Sequence, residues 1–199
     1  MRFKNLAPIL KNLQVLILDV DGVLTSGGII YSSSGDEQKR FDVKDGLGLV
    51  MLDGLGLYSA IITGRSSDIV ERRAKELRID FVLQGYPIKL PAYEELKSEL
   101  KLPDSAFGFV GDDLIDLDVM RQVGFSAAPA DAHPAVKKLA HYVCRRNSGA
   151  GALREIVDLI IAFRRGEFAP VNYIPPKILE HWQDIVWEKG KESSNIQGQ

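Results

Sequence analysis

Cysteine occurs once in the 199 residues, at Cys144, so the chain can form no internal disulfide and no cysteine-built zinc site. A lone cysteine reads as a small core residue of a protein kept in a reducing compartment. No apolar run approaches the length that spans a bilayer, and the N-terminus lacks a signal-peptide pattern. A strong charge of one sign is missing too: the formal net charge is −2, and the basic pairs Arg72-Arg73, Lys137-Lys138, Arg145-Arg146 and Arg164-Arg165 are scattered. Neither nucleic acid nor an anionic membrane surface is therefore an expected partner, and the expected location is the cytoplasm. Internal repeats and extended low-complexity tracts are absent. What remains, 45% hydrophobic and 26% charged residues, is ordinary for a soluble globular domain with a proper core.

Five short β-like runs stand out at Gln14–Asp19, Tyr58–Thr63, Asp80–Gln84, Ala106–Gly111 and Gly124–Ala128. Helical patterns separate or follow them at Ile69–Leu77, Ala92–Leu100, Ile115–Val123, Pro134–His141 and Gly151–Phe163. Ser66-Ser67-Asp68 offers capping side chains for the first of these helices, and Pro91 suits the first turn of the second. This alternation predicts an α/β fold with a parallel sheet covered on both faces. One segment breaks it. Residues Gly27–Val43 read as a hairpin turning at Ser32-Ser33-Ser34-Gly35, too small for a separate domain and placed to form a flap over the end of the first strand. Lys44-Asp45-Gly46 would open a helix after the flap. From residue 166 the composition turns loop-like, followed by an amphipathic helix at Ile178–Lys189 and a polar end. The predicted organisation is a domain over 1–165 and a C-terminal tail over 166–199.

Ligands of a parallel sheet bind at the carboxyl ends of its strands. The first strand delivers Asp19 and Asp21 there, two positions apart and so predicted to share a face, where their charges repel unless a cation intervenes. The second delivers Thr63, Gly64 and Arg65; the third Gln84, Gly85 and, a little later, Lys89; the fourth Asp112, Asp113 and Asp116. A calcium loop starting at Asp19 is excluded, because Val23 and Leu24 stand where a ligand and a glycine are needed. Each piece alone could be a turn or a helix cap. Four pieces, each directly after its own strand, point to one site.

The stretches "LDVDGVLT", "IITG", the strand-following Lys89 and "GDDLID" resemble the haloacid dehalogenase-like phosphatases. With "FDVKDGLGL", "FVLQG", "ADAHP" and "SGAGALREIVDLI", the chain is most similar to the subgroup whose only cap is a hairpin and whose substrate is 3-deoxy-D-manno-octulosonate 8-phosphate. The resemblance implies a Rossmann-like fold and a Mg²⁺-dependent phosphomonoesterase of lipopolysaccharide sugar synthesis. It implies Asp19 as nucleophile, forming an aspartyl-phosphate, and Asp21 as the acid that protonates the leaving oxygen and then activates water. Mg²⁺ would be held by Asp19, Asp112 and the backbone carbonyl of Asp21, with Asp113 and Asp116 orienting lysine and metal waters. Thr63, the neighbouring amides from Gly64 onward, and Lys89 would hold the phosphoryl oxygens.

Arg65 reads either as a solvated arginine at a helix start or as a fork for the substrate carboxylate. Arg73, two turns on, either assists it or faces solvent. Relatives acting on nine-carbon keto-sugar acid phosphates carry glutamate at the position of Arg65, so arginine favours the octulosonate over a nonulosonate 9-phosphate. The subgroup also implies a homotetramer in which a neighbour's flap and tail help complete each site. One departure is Ser26-Gly27, where relatives commonly have Asp-Gly. His133 reads as a residue at a helix start rather than a base.

Overall fold

The computed structural model describes residues 6–166. A short helix, α1 (Leu6–Asn12), leads into strand β1 (Val15–Leu18), and the flap follows as a two-stranded hairpin, β2 (Ile30–Tyr31) and β3 (Glu37–Gln38). Then come α2 (Val43–Gly54), β4 (Tyr58–Thr63), α3 (Asp68–Glu76), β5 (Phe81–Gln84) and α4 (Leu90–Leu100). The described part ends with β6 (Phe107–Val110), α5 (Leu117–Gln122), β7 (Phe125–Ala128), α6 (Pro134–Leu139), β8 (Tyr142–Val143) and α7 (Ala152–Arg165). Six strands lie in the order β5-β4-β1-β6-β7-β8, each paired parallel to its neighbour. The chain builds outward from β1 to β4 and β5, then returns to add β6 on the opposite side of β1. That reversal opens a crevice at the carboxyl end of β1, where open α/β sheets place their ligands.

Alternation along β1 sorts the core into two layers. Leu16 and Leu18 face a cluster built with Leu10, Leu49, Leu52, Ile156 and Ile160; Val15 and Ile17 face one built with Tyr93, Leu96, Phe107, Phe109 and Met120. Both faces of the sheet are thus covered, and among the described residues no helix is long and apolar enough to cross a membrane. Cys144 is buried, its Sγ 3.5 Å from the Ala152 carbonyl oxygen, and desolvation pushes its thiol pKa far up.

Several boundaries differ from the sequence expectation. The segment predicted as one helix over Ile115–Val123 is a 3₁₀ turn at Leu114–Asp116 followed by α5, because Asp113 and Asp116 form a capping box across the turn. Helix α6 stops at Leu139 rather than running to His141, since the chain straightens at Ala140 to reach the edge strand β8. His133 does start that helix, its Nδ1 accepting from the Ala135 amide at 3.1 Å. The helix predicted at Ile178–Lys189 lies outside the described residues.

Asp45 does more than open α2. It is 1% exposed, and its two oxygens accept from the backbone amides of Gly151 (3.1 Å) and Arg154 (2.8 Å). Gly151, at the start of α7, has no side chain to cap the helix, so a carboxylate from a distant helix does it. Desolvation nonetheless raises the pKa of Asp45. Asp45→Ala strands buried amides and should lower the unfolding free energy in urea by roughly 1–3 kcal/mol. Lys44→Ala, on an exposed neighbour, should change it by less than about 0.5 kcal/mol.

Candidate active site

Strand β1 ends at Leu18, and the chain turns sharply: the amides of Val23, Leu24 and Thr25 all converge on the Val20 carbonyl. Asp19 and Asp21 therefore lie beyond the strand, not side by side on its face. Each carboxylate has its own lysine. Asp19 Oδ2 is 2.7 Å from Lys89 Nζ, and Asp21 Oδ1 is 2.6 Å from Lys39 Nζ. The repulsion expected between two strand neighbours is thus met by a turn and two ammonium groups.

Lys89 immediately precedes α4 and its side chain is fully buried, with Nζ also 2.5 Å from Asp116 Oδ1 and 5.7 Å from the centre of the Phe109 ring. Burial alone would lower its pKa; Asp19 and Asp116 override that and raise it. Asp116 is wholly engaged, because its Oδ2 accepts from the amides of Asp112 (2.9 Å) and Asp113 (3.1 Å). It ties the lysine to the loop that presents Asp112. Asp113 is exposed and accepts from the Leu114 amide at 2.7 Å. Two glycines make the crowding possible: a Cβ on Gly22 would fall 2.0 Å from Asp112 Oδ2, and one on Gly111 2.6 Å from Asp116.

Oxygens of Asp19, Asp112 and Asp116 lie within 4.8 Å of one another. Desolvation, then the neighbouring charges of Asp116 and Asp19, push the carboxyl of Asp112 up to about 7, and its Oδ1 is buried with no hydrogen-bond partner. Burial raises Asp19 as well, to about 6, against the pull of Lys89. An unpartnered carboxylate oxygen in such a cluster fits a hard divalent cation with oxygen ligands, which Asp19 and Asp112 would hold. Asp116, with both oxygens taken, is the least available of the three.

Thr63 is buried at the end of β4, paired in register with Gln84 at the end of β5. Gly64 follows it, 3.5 Å from Pro87 Cα if given a Cβ. Arg65 comes next and is the hub of the flap contacts. Its Nη2 is 2.8 Å from Glu37 Oε1 and 3.4 Å from the Tyr31 hydroxyl, and its Nε is 3.9 Å from Asp21 Oδ2. Arg73 is not brought to this cluster: it lies over the Phe41 ring at 5.7 Å, pairs with Glu76 at 3.1 Å and packs against Gly46. Ser26 is exposed beside the flap. Sequence reasoning passes over Lys39, Glu37 and Tyr31. Glu37 lies on β3 and Lys39 just after it, and both reach the cluster only because the hairpin folds back toward Asp21.

Residues 88–156 match the haloacid dehalogenase-like hydrolase family. The chain is 47% identical over 150 residues to the 3-deoxy-D-manno-octulosonate 8-phosphate phosphatase KdsC of Yersinia pestis, covering 75% of this chain and 80% of that protein. It belongs to that phosphatase family. The Escherichia coli K12 member is 44% identical over 151 residues, covering 76% of this chain and 80% of its own length. Among solved structures of the family, the Moraxella catarrhalis phosphatase, in complex with magnesium, phosphate and KDO, superimposes with a TM-score of 0.80 at 39% identity, covering 82% of this chain and 94% of that one.

Proposed function

We propose a division of labour among the residues of this site. The enzyme is a phosphoric monoester hydrolase that cleaves 3-deoxy-D-manno-octulosonate 8-phosphate to the free sugar acid and phosphate, with Mg²⁺ as cofactor. Asp19 is the nucleophile, attacking phosphorus to give an aspartyl-phosphate on its own carboxylate. The buried Lys89, held between Asp19 and Asp116, is the observation that supports this most: it keeps Asp19 aimed and brings fixed positive charge to the phosphoryl oxygens. Thr63 and the amides from Gly64 onward complete that cradle. Asp19, Asp112 and the Asp21 carbonyl would hold Mg²⁺, which would neutralise charge at the phosphoryl group. Asp21 protonates the leaving sugar oxygen and then takes the proton of the hydrolytic water. Lys39 and the Thr25 hydroxyl, 3.3 Å away, both engage Asp21 Oδ1, whereas Oδ2 has only Arg65 Nε at 3.9 Å, beyond hydrogen-bond distance, and is the oxygen for the proton.

Arg65 takes the substrate carboxylate. Arg65→Ala should raise KM for the keto-acid phosphate at least about tenfold, the scale of one charge-assisted hydrogen-bond pair. The shift for phenyl phosphate, which has no carboxylate, should be several-fold smaller. Equal losses on both esters would assign Arg65 to the phosphate or to folding.

The reading includes a cytoplasmic homotetramer acting in lipopolysaccharide sugar synthesis. Exposed apolar side chains support the assembly: Ile29, Ile30 and Tyr31 on the flap, Ile88 before Lys89, and Leu114 and Ile115 after Asp113 all adjoin the site in sequence and are at least half exposed. Apolar surface of this kind is expected to be covered by another copy. The same reading gives 1–165 to the catalytic domain and 166–199 to a tail that contributes to subunit contacts.

A further inference from the structure

Glu37 makes more contacts than a flap residue needs. It stands opposite Tyr31 in the hairpin register, so both side chains leave the same face, and both reach Arg65. Its Oε1 takes Arg65 Nη2 at 2.8 Å and lies 3.6 Å from Lys39 Nζ; its Oε2 accepts from the Ser67 hydroxyl at 2.9 Å. Ser67 is the residue before α3, where its hydroxyl would ordinarily cap the helix, yet it makes no cap and turns to Glu37. Gln84 from β5 meets the Ser67 amide instead, at 2.9 Å.

We propose that Glu37 is an internal stand-in for the substrate's carboxylate, occupying the Arg65 guanidinium until a ligand with its own carboxylate displaces it. The inference rests on the reading that Arg65 receives that carboxylate. Arg65 has Asp21 beside its Nε and Glu37 Oε1 on Nη2, so a carboxylate already holds the outer end of its guanidinium. The pair is open to a ligand, with the Arg65 side chain 42% and that of Glu37 18% exposed. Displacement leaves no orphaned charge: Glu37 keeps Ser67 and Lys39, and Arg65 exchanges one carboxylate for another. The Ser67 hydroxyl, with the positive charges of Lys39 and Arg65, holds the carboxyl of Glu37 below the usual range, so the stand-in is ionised when the enzyme works. A phosphate ester without a carboxylate makes no exchange and leaves the Glu37–Arg65 pair in place. The stand-in therefore costs only the ligand class that must displace it, and removing it favours that class alone.

The test uses the full-length enzyme with Mg²⁺ and three ligands: the keto-acid phosphate, phenyl phosphate, and the free keto-sugar acid as inhibitor. Glu37→Gln removes the competing charge at constant size. It should lower KM for the keto-acid phosphate and Ki for the free acid by about fivefold, the scale of one partly exposed ion pair. The ratio of KM for phenyl phosphate to KM for the keto-acid phosphate should rise correspondingly. Glu37→Asp, which keeps the charge on a shorter arm, should shift the ratio in the same direction, and it carries the test if the glutamine variant fails to fold. An unchanged or higher KM for the keto-acid phosphate in the folded variants would make Glu37 a support for Arg65 and overturn the proposal. Arg65→Ala, measured alongside, separates the two readings. If it raises KM for the keto-acid phosphate while Glu37→Gln does not lower it, only the stand-in falls; if it leaves that KM unchanged, the carboxylate assignment falls and the stand-in with it.

Discussion

Asp19→Asn should reduce phosphatase turnover by roughly 10⁴-fold or more while leaving the far-ultraviolet circular dichroism unchanged. The amide is nearly the same size, and its oxygen can still accept from the Val20 amide, which lies 2.6 Å from Asp19 Oδ1. Lys89 keeps its contact with Asp116, so its buried charge does not lose its last partner. What the variant loses is the attacking oxygen. An amide cannot form the acyl-phosphate, and no other carboxylate can take over: Asp116 is locked to Lys89 and two backbone amides, and Asp21 is held by Lys39. Turnover within tenfold of the parent enzyme would remove Asp19 from the nucleophile's role. Single-turnover assays with acid quench should likewise trap phosphorylated protein in the parent and none in the variant.

Chelation should abolish activity, Mg²⁺ should restore it in full, and Ca²⁺ should restore only a few per cent. The residues alone explain the dependence. Asp19 and Asp112 carry raised pKa values because burial, and then the charge of Asp116, penalise their ionised forms, and Asp112 has an oxygen with no hydrogen-bond partner. A divalent cation reverses that penalty, favouring the ionised carboxylates that the chemistry needs. Gly22 and Gly111 have no room for a Cβ beside Asp112 and Asp116, and a carboxylate set this crowded favours the smaller Mg²⁺ over the larger, more loosely coordinated Ca²⁺. The check is a steady-state assay in metal-stripped buffer with each ion titrated back. Undiminished turnover after stripping would contradict the role given to the carboxylate cluster.

The parts of the fold visible in the sequence were those with strong local patterns. All five predicted strands are present because each is a short, mostly apolar run between helical patterns, as strands of a parallel sheet covered on both faces must be, with Ser59, Thr63 and Ser126 as buried polar exceptions. Strand β8 was invisible because two residues carry no period, and α1 because it is a single short segment before the first strand. The site showed the same division. Asp19, Thr63, Lys89 and Asp112 could be placed because each follows its own strand. Asp19 and Asp21 are not strand neighbours, because β1 ends at Leu18, one residue before the run expected from the sequence. Arg73 was linked to Arg65 by helical spacing, yet α3 begins only at Asp68, so Arg65 lies outside the helix and the spacing does not apply. Glu37 and Lys39 depend on how the hairpin folds back, a long-range matter that neither charge pattern nor propensity encodes. Asp45 is another such case, capping a helix 106 residues away.

The burial of Cys144 has a practical consequence for following this protein in solution. A thiol that is 4% exposed and held protonated is shielded from maleimides and iodoacetamide as long as the sheet stays closed. Toward such reagents the native chain behaves as if it had no cysteine, and alkylation of Cys144 becomes a clock for global opening. A second cysteine placed at the exposed tip of the flap, as in Ser33→Cys, would then be the one position that takes a fluorophore under native conditions. Light emitted from that dye would report the hairpin's movements without the usual need to strip the parent of its own sulfur.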